Sequence, residues 1–321
     1  MNSVQLSRFE RDGYLRVVGV LEPAAVVEPL FAEYEQVLDR LAHELRDRGE
    51  IASTHADLGF AERLIRIYRE SGRDHSRYFD PSLLTRGVTP DTPFWAGPAV
   101  FRIITHESVL DLVECLIGPE IYSNPVQHIR IKPPERLLPD GATDVLARAN
   151  PWHQDNGVVD PVADGSDMLT VWIALSDAPV ERGCLQVIPG SHRQALRTHC
   201  PNIPGRPLAI PDALLDLDRA TPVPVRSGDV ILMHRHTIHG SLPNVSDDIR
   251  WSLDLRYNPT GQPTGRPEFP GFIARSRRDP DSELRDPEAW AKLWSGARDR
   301  LAVHPPTKPA HRWRGTEPVC A

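Results

Sequence analysis

"MLTVWIALSDAPVERGCLQVIPGSH", residues 168–192, contains two short runs of β-branched, aromatic and apolar residues separated by a turn-forming stretch. Runs of this length and composition are strands, and Gly183, Pro189 and Gly190 supply the turns between them. The pattern repeats on both sides, in "EIYSNPVQHIRIK" (120–132), "PVPVRSGDVILMHRHTIHGS" (222–241) and "RWSLDLRYNP" (250–259). Regularly spaced short strands without intervening helices predict a β-sandwich or barrel-like jelly roll.

The chain before residue 119 reads differently. In "PAAVVEPLFAEYEQVLDRLAHEL" (23–45), Val27, Leu30, Phe31, Tyr34, Val37, Leu38 and Leu41 recur at steps of three and four, which predicts an amphipathic helix packing on something larger. Further helices are predicted over 60–70 and 107–118, the latter stopping at Gly118. Residues 135–150, "ERLLPDGATDVLARAN", follow neither period and directly precede His153, so they form a candidate lid loop. After Tyr257 the chain reads as an extended wrap followed by a short helix in "DPEAWAKLWSGARDRLA". The expected organisation is one domain over 1–321: helical support (1–118), a β core (119–257) and a C-terminal wrap (258–321).

Composition narrows the function classes. With 321 residues, 40% hydrophobic and 25% charged, the chain can bury a sizeable core. A net charge of -7 argues against nucleic acid as a partner. The opening "MNSVQLSRFERDGYL" lacks the apolar run of a signal peptide, and no stretch is apolar over a bilayer span, so the expected setting is the cytoplasm without a membrane partner. Cys115, Cys184, Cys200 and Cys320 are scattered and contain no C-x-x-C pair; reduced thiols without a function are expected. The 32 prolines predict long ordered loops between strands.

The chemistry-bearing pattern is His-x-Asp, which occurs twice: His153 with Asp155, and His55 with Asp57. On an extended backbone residues i and i+2 point to the same side and can converge on one ion, whereas on a helix they diverge. His55 precedes a helical segment, so His153 and Asp155, between strand-like runs, are the better pair. A third ligand candidate comes from "HRHTIHGSLPN", where His239 precedes Gly240 and Ser241 at a strand end. Two imidazoles and one carboxylate on one face of a metal, with three positions open, is the arrangement of non-haem Fe(II) oxygenases. His234 and His236 offer an alternative, cupin-like pair, beside the plainer reading of each as a core or supporting histidine.

Five stretches in order resemble the phytanoyl-CoA dioxygenase-like branch of the Fe(II)- and 2-oxoglutarate-dependent oxygenases: "FERDGYLRVVGVL", "KPP" at Lys132–Pro134, "WHQD" at Trp152–Asp155, residues 171–192, and "HGSLPNVSDDIRWSLDLRY" at 239–257. The resemblance covers roughly residues 8–257 and implies a double-stranded β-helix core, in agreement with the jelly roll expected from strand spacing. It implies His153, Asp155 and His239 as iron ligands and Arg250 as partner of the distal carboxylate of 2-oxoglutarate, a role suited to a guanidinium's paired donors. The plainer alternative for Arg250 is a surface ion pair with Asp247 or Asp248. Ser252, two residues on, should share its side of the strand; Ser241, Lys132 and Trp172 match positions lining the cosubstrate pocket, with Gln127 a further neighbour. Trp172 is first of all core packing, and Gly183, Pro189, Gly190 and His192 read as structural.

The resemblance further implies Fe(II), 2-oxoglutarate and O2 as cofactor and cosubstrates, with ascorbate as a possible addition in vitro, and oxidation of a small-molecule substrate with release of succinate and CO2. Hydroxylation is the usual outcome; desaturation, epimerisation and ring closure share its early steps. The carboxylate at Asp155 argues against halogenation, since halogenating relatives carry a small residue there. Candidate substrate contacts are residues 135–150, "DTPFWAGPAVF" (91–101), Asn156, Arg130 and Arg256. The competing classes are a cupin-like metal isomerase or binding module built on His234, His236 and His239 without 2-oxoglutarate, and a non-catalytic scaffold.

Overall fold

In the computed structural model, which describes residues 1–140, 142, 144, 146–201, 208–306 and 311–320, strand β3 (Leu169–Ala174) is buried at all six positions. Alternation along it assigns two environments: Leu169, Val171 and Ile173 join the core beneath the helices, while Trp172 and Ala174 face the second sheet. β3 pairs antiparallel with β6 (Val230–His234) and β8 (Arg250–Pro259). With β1 (Tyr14–Val17), β2 (Glu120–Lys132) and β9 (Phe272–Ser276) they form a six-stranded sheet in the order β1-β6-β3-β8-β2-β9. A three-stranded sheet, β5 (Thr221–Val223), β4 (Leu185–Val187) and β7 (His239–Ser241), lies in the order β5-β4-β7.

The helices cover the outer face of the larger sheet. α2 (Glu28–Asp47) and α3 (Phe60–Ser71) bury the apolar stripes that the period predicted, including Leu30, Tyr34, Leu38, Leu64 and Ile67. They meet the sheet at Trp251 of β8, whose ring lies 5.0 Å from Phe31 and 4.8 Å from Phe60. α5 (Glu107–Ile117) ends as expected before Gly118. The first helix, α1 (Ser3–Asp12), was not predicted; Asn2 and Gln5 cap it reciprocally. It stops at Gly13, where a positive φ of 77° and a His192 ring 2.3 Å from any added Cβ leave room only for glycine.

Three expectations change. The sheet extends beyond 119–257, because β1 and β9 are added at its two edges. The 91–101 stretch does not line the metal-side cavities: its end starts α4 (Pro98–Ile104), whose Phe101 packs 5.6 Å from Trp290 of α6 (Pro287–Val303). Cys200 and Cys320 are joined in a disulfide across 120 residues, so only Cys115 and Cys184 remain as free thiols. Scattered spacing could not reveal that pairing, since it depends on the tail folding back. The lid expectation falls partly outside the described residues, at 141, 143 and 145; beside them Asp144 accepts from Arg77 at 2.6 Å and Ala149 N–H donates to Glu135 at 2.6 Å.

Candidate metal centre

The alternation that sends Trp251, Leu253, Leu255 and Tyr257 of β8 to the helix-covered core sends Arg250, Ser252, Asp254 and Arg256 to the other face. β2 continues the row with Arg130 and Lys132, in register with Ser252 and Arg250. A polar band is thus buried between the two sheets.

His153 enters this space through an antiparallel bridge to β7: its N–H donates to the His239 carbonyl at 2.9 Å and its carbonyl accepts from the His239 N–H at 3.0 Å. The two rings lie 4.2 Å apart between centroids. Asp155 begins a single turn (Asp155–Val158) that folds its carboxylate back toward them, 3.7 Å from His153 Nε2. One nitrogen of each imidazole and one carboxylate oxygen lie within 4.8 Å of one another, all three residues are buried, and among the described residues no other group of His, Cys, Asp and Glu does this.

The surroundings prepare these atoms for a cation. His153 Nδ1 donates to the Pro151 carbonyl at 2.8 Å and His239 Nδ1 to the Thr237 carbonyl at 3.0 Å, which leaves each Nε2 as a lone pair on the site side. Burial, reinforced by the neighbouring His239, pushes His153 well below its ordinary value and keeps the ring neutral. Burial opposes a charge on Asp155, yet the Arg256 guanidinium, helped by the Thr170 hydrogen bond, outweighs it and holds the carboxyl well below the usual range. Arg256 Nη2 donates to Asp155 Oδ1 at 2.5 Å and the Thr170 hydroxyl donates to Oδ2.

Next to His239 lies a small cavity bounded by Lys132, Trp172, Ser241 and Arg250. Arg250 is fully buried; its Nη1 donates to Ser252 Oγ at 2.6 Å, while Nε and Nη2 have no partner among the described residues. Its guanidinium sits 5.5 Å from the Trp172 ring, whose Nε1 is likewise unpartnered. Burial brings Arg250 down to about 10, and burial with Arg250 and Arg130 nearby lowers Lys132 well below its ordinary value. Lys132 Nζ donates to Ser241 Oγ at 3.1 Å. The plainer alternative for Arg250, a surface ion pair, is not formed: Asp248 pairs with Arg182 at 3.1 Å and Asp247 with Arg136.

A second cavity, about 440 Å³, opens on the His153 side and shares Arg130, Asn150 and Arg256 with the first. The triad sits at the junction of the two.

Of the residues singled out from the sequence, His153, Asp155, His239, Arg250, Ser252, Ser241, Lys132 and Trp172 are brought together here. Gln127 is not: it lies where the β2 register shifts between Asn124 and His128, bonds Ser123 at 2.8 Å and does not line either cavity. Asn156 turns to Asp164 at 3.0 Å. His234 and His236 meet edge to face at 5.4 Å outside the triad, and His55 pairs with Glu70 at 3.0 Å. Asn150, the end of the 135–150 stretch, does line both cavities. Thr170 was missed; it is opposite Arg256 across β3 and β8, a relation of register that no motif signals.

A jelly roll with a buried two-histidine, one-carboxylate cluster beside a cationic cavity defines the class of mononuclear, non-haem iron oxygenase folds. The description "Phytanoyl-CoA dioxygenase (PhyH)" matches residues 9–252, and the chain belongs to this family. The Bos taurus protein described as "Phytanoyl-CoA dioxygenase domain-containing protein 1" is 26% identical over 77% of this chain and 86% of its own length. Among solved structures, the non-heme monooxygenase ThoJ superposes with TM-score 0.58 at 22% identity, covering 93% of this chain and 94% of its own. The epimerase SnoN, solved with Fe3+, alpha ketoglutarate and nogalamycin RO, superposes with TM-score 0.52 at 23% identity, covering 82% and 86% respectively. At these identities the two structures bear on the fold: both share its jelly roll.

Proposed function

We propose that this chain is an Fe(II)- and 2-oxoglutarate-dependent dioxygenase that oxidises, by hydroxylation, an unactivated carbon of a small-molecule substrate. In this reading His153, Asp155 and His239 hold the iron, and the cavity under Arg250 holds the cosubstrate. The observation that carries it is the pair of buried, unpartnered donors on Arg250, a residue that lines the same cavity as His239. An unpartnered buried guanidinium is costly, and a carboxylate accepting both donors would offset that cost.

An iron held by His153, Asp155 and His239 would supply, together with 2-oxoglutarate and O2, the oxidising power, with succinate and CO2 as the by-products. The protein's own residues do the positioning. The Pro151 and Thr237 carbonyls fix the two imidazole tautomers; Arg256 and Thr170 hold both Asp155 oxygens. Ser252 and Trp172 fix the guanidinium of Arg250, and Lys132 and Ser241 lie across the cavity as further donors. Arg130, Asn150 and Arg256, which line both cavities, form the partition between the oxoacid and a substrate in the larger one.

Anaerobic titration with Fe(II) and then 2-oxoglutarate tests this. A weak visible charge-transfer band that needs both is expected; iron binding without any such band on adding the oxoacid would remove 2-oxoglutarate from the scheme. Product analysis by mass then separates hydroxylation, which adds one oxygen atom, from epimerisation or ring closure.

A further inference from the structure

Strand β2 carries a row of polar side chains from one cavity to the other. His128, Arg130 and Lys132 alternate along it opposite Asp254, Ser252 and Arg250 of β8, so they share the buried polar face. Lys132 lines only the small cavity, Arg130 lines both, and His128 lines only the larger one. At the rise of an extended strand, His128 stands about 13 Å along β2 from the lysine beside the oxoacid cavity.

His128 is tied through one ring nitrogen to a carboxylate. Its Nδ1 lies 2.9 Å from Asp80 Oδ2 and 3.1 Å from Ser82 Oγ, and the Ser82 hydroxyl donates to the same Asp80 oxygen at 2.9 Å. Asp80 is completely buried; its Oδ1 accepts from the Ile129 N–H at 3.1 Å, and Arg77 Nη1 stands 3.5 Å from Oδ2. A carboxylate balanced by an arginine has only lone pairs to offer, so Nδ1 carries the hydrogen and donates it. Burial outweighs the pull of Asp80 and lowers His128 below its ordinary value, which leaves the ring neutral at neutral pH. In that tautomer Nε2 is a lone pair, and the ring's hydrogen bonds among the described residues both run through Nδ1 instead. The guanidinium groups of Arg77, Arg130 and Arg256 on the same wall can only donate, so His128 answers a different kind of group.

We propose that His128, held by Asp80, is a specificity-determining residue of the larger cavity: its Nε2 accepts the hydrogen of a hydroxyl group on the substrate and so fixes which carbon is presented to the triad. The substrate class is then a hydroxyl-bearing molecule. This rests on the reading of the larger cavity as the substrate site and deepens it. A substrate lacking the hydroxyl would leave a half-buried acceptor unanswered, which is how a site built to accept a hydrogen discriminates against the analogue without one.

Hexanol and pentyl methyl ether are isomers of which only the first has an O–H, and they are titrated calorimetrically into protein saturated with Ni(II) and 2-oxoglutarate. Binding of 2-oxoglutarate is measured on the same preparations, so failure of the oxoacid site shows separately. Hexanol is expected to bind about three- to tenfold tighter than the ether, the size of one neutral hydrogen bond. His128→Leu should remove this preference and leave 2-oxoglutarate affinity in place. Asp80→Asn should remove it with the ring still present: the Ile129 N–H keeps the amide oxygen on its side, the amide NH2 then faces Nδ1, and the ring hydrogen moves to Nε2, which donates to either probe's oxygen alike. Nitrogen-15 NMR of the histidine rings in protein loaded with diamagnetic Zn(II) reads the tautomer: an unprotonated Nε2 on His128, shifting with hexanol and not with the ether, is expected. Equal affinities for the two probes in the parent protein, or no binding of either, would overturn the proposal, and both are read without any variant. So would a hexanol preference that persists in His128→Leu, or a hydrogen on Nε2 of His128 in the parent protein.

Discussion

Replacing Arg250 by methionine separates what the residue does for the fold from what it does for a ligand. The guanidinium is fully buried with two of its nitrogens unpartnered, and burial already lowers it to about 10. Those two nitrogens can make two charge-assisted hydrogen bonds to one carboxylate, each worth about 1.5–3 kcal/mol. Lys132, on the neighbouring strand and in register, retains part of the attraction, so the net loss is about 3 kcal/mol, or at least about a hundredfold in 2-oxoglutarate affinity. Without ligand the sign reverses: methionine fills a similar slot beside Trp172 without buried orphan donors, and the melting temperature of the ligand-free variant should not fall. The assay is the anaerobic charge-transfer titration for affinity and thermal unfolding with and without 2-oxoglutarate. Arg250→Lys keeps the charge but loses the paired donors and should fall between the two. An Arg250→Met protein that remains folded and binds 2-oxoglutarate within about threefold of the parent would refute the reasoning, since a single hydrogen bond to a charged group is worth more than that.

Other perturbations have equally definite outcomes. Asp155→Ala should abolish iron retention, measured by metal analysis after gel filtration, and by stranding the buried charge of Arg256 should cost about 3–5 kcal/mol in denaturant unfolding; full substrate oxidation in this variant would remove the triad assignment. Thiol titration of the denatured, unreduced protein should count Cys115 and Cys184 only, with Cys200 and Cys320 appearing after reduction, and Cys320→Ser should cost about 2–4 kcal/mol; four thiols before reduction would contradict the bridge. Burial lowers His199 to about 4, and its ring, which accepts from Gln154 N–H at 2.9 Å, sits under Trp313. Because its folded value lies below the unfolded value of about 6.5, the unfolded state binds the proton first as pH falls. Stability is therefore complete above about pH 6.5 and declines toward pH 4 by up to about 3 kcal/mol from this group. His199→Gln should flatten that slope in unfolding curves of metal-free protein, and an unchanged slope would assign it elsewhere.

The amino-acid sequence by itself determined the elements and the chemistry of the triad. The period of 23–45 is local and survives as the buried stripe of α2; the alternation in 250–259 is equally local and separates Trp251, Leu253 and Leu255 from Arg250, Ser252 and Asp254. His153 and Asp155 were readable because two ligands from one short segment leave a spacing, and His239 because it closes a strand before Gly240. Relations between distant segments leave no such trace. That Thr170 and Arg256 grip the two oxygens of Asp155, that Gln127 is turned aside by an irregularity in β2, and that residues 91–101 lead into a core helix all depend on register and packing. The tail shows the limit best. Nothing local in "HRWRGTEPVC" announces that Trp313 will cap the Gly157 turn or that Cys320 will meet Cys200; both follow only once the jelly roll has set the metal loop where the returning chain can reach it. Side-chain periodicity encodes which face is buried, whereas partnership across the fold is decided by the three-dimensional arrangement of strands that each sequence segment cannot specify alone.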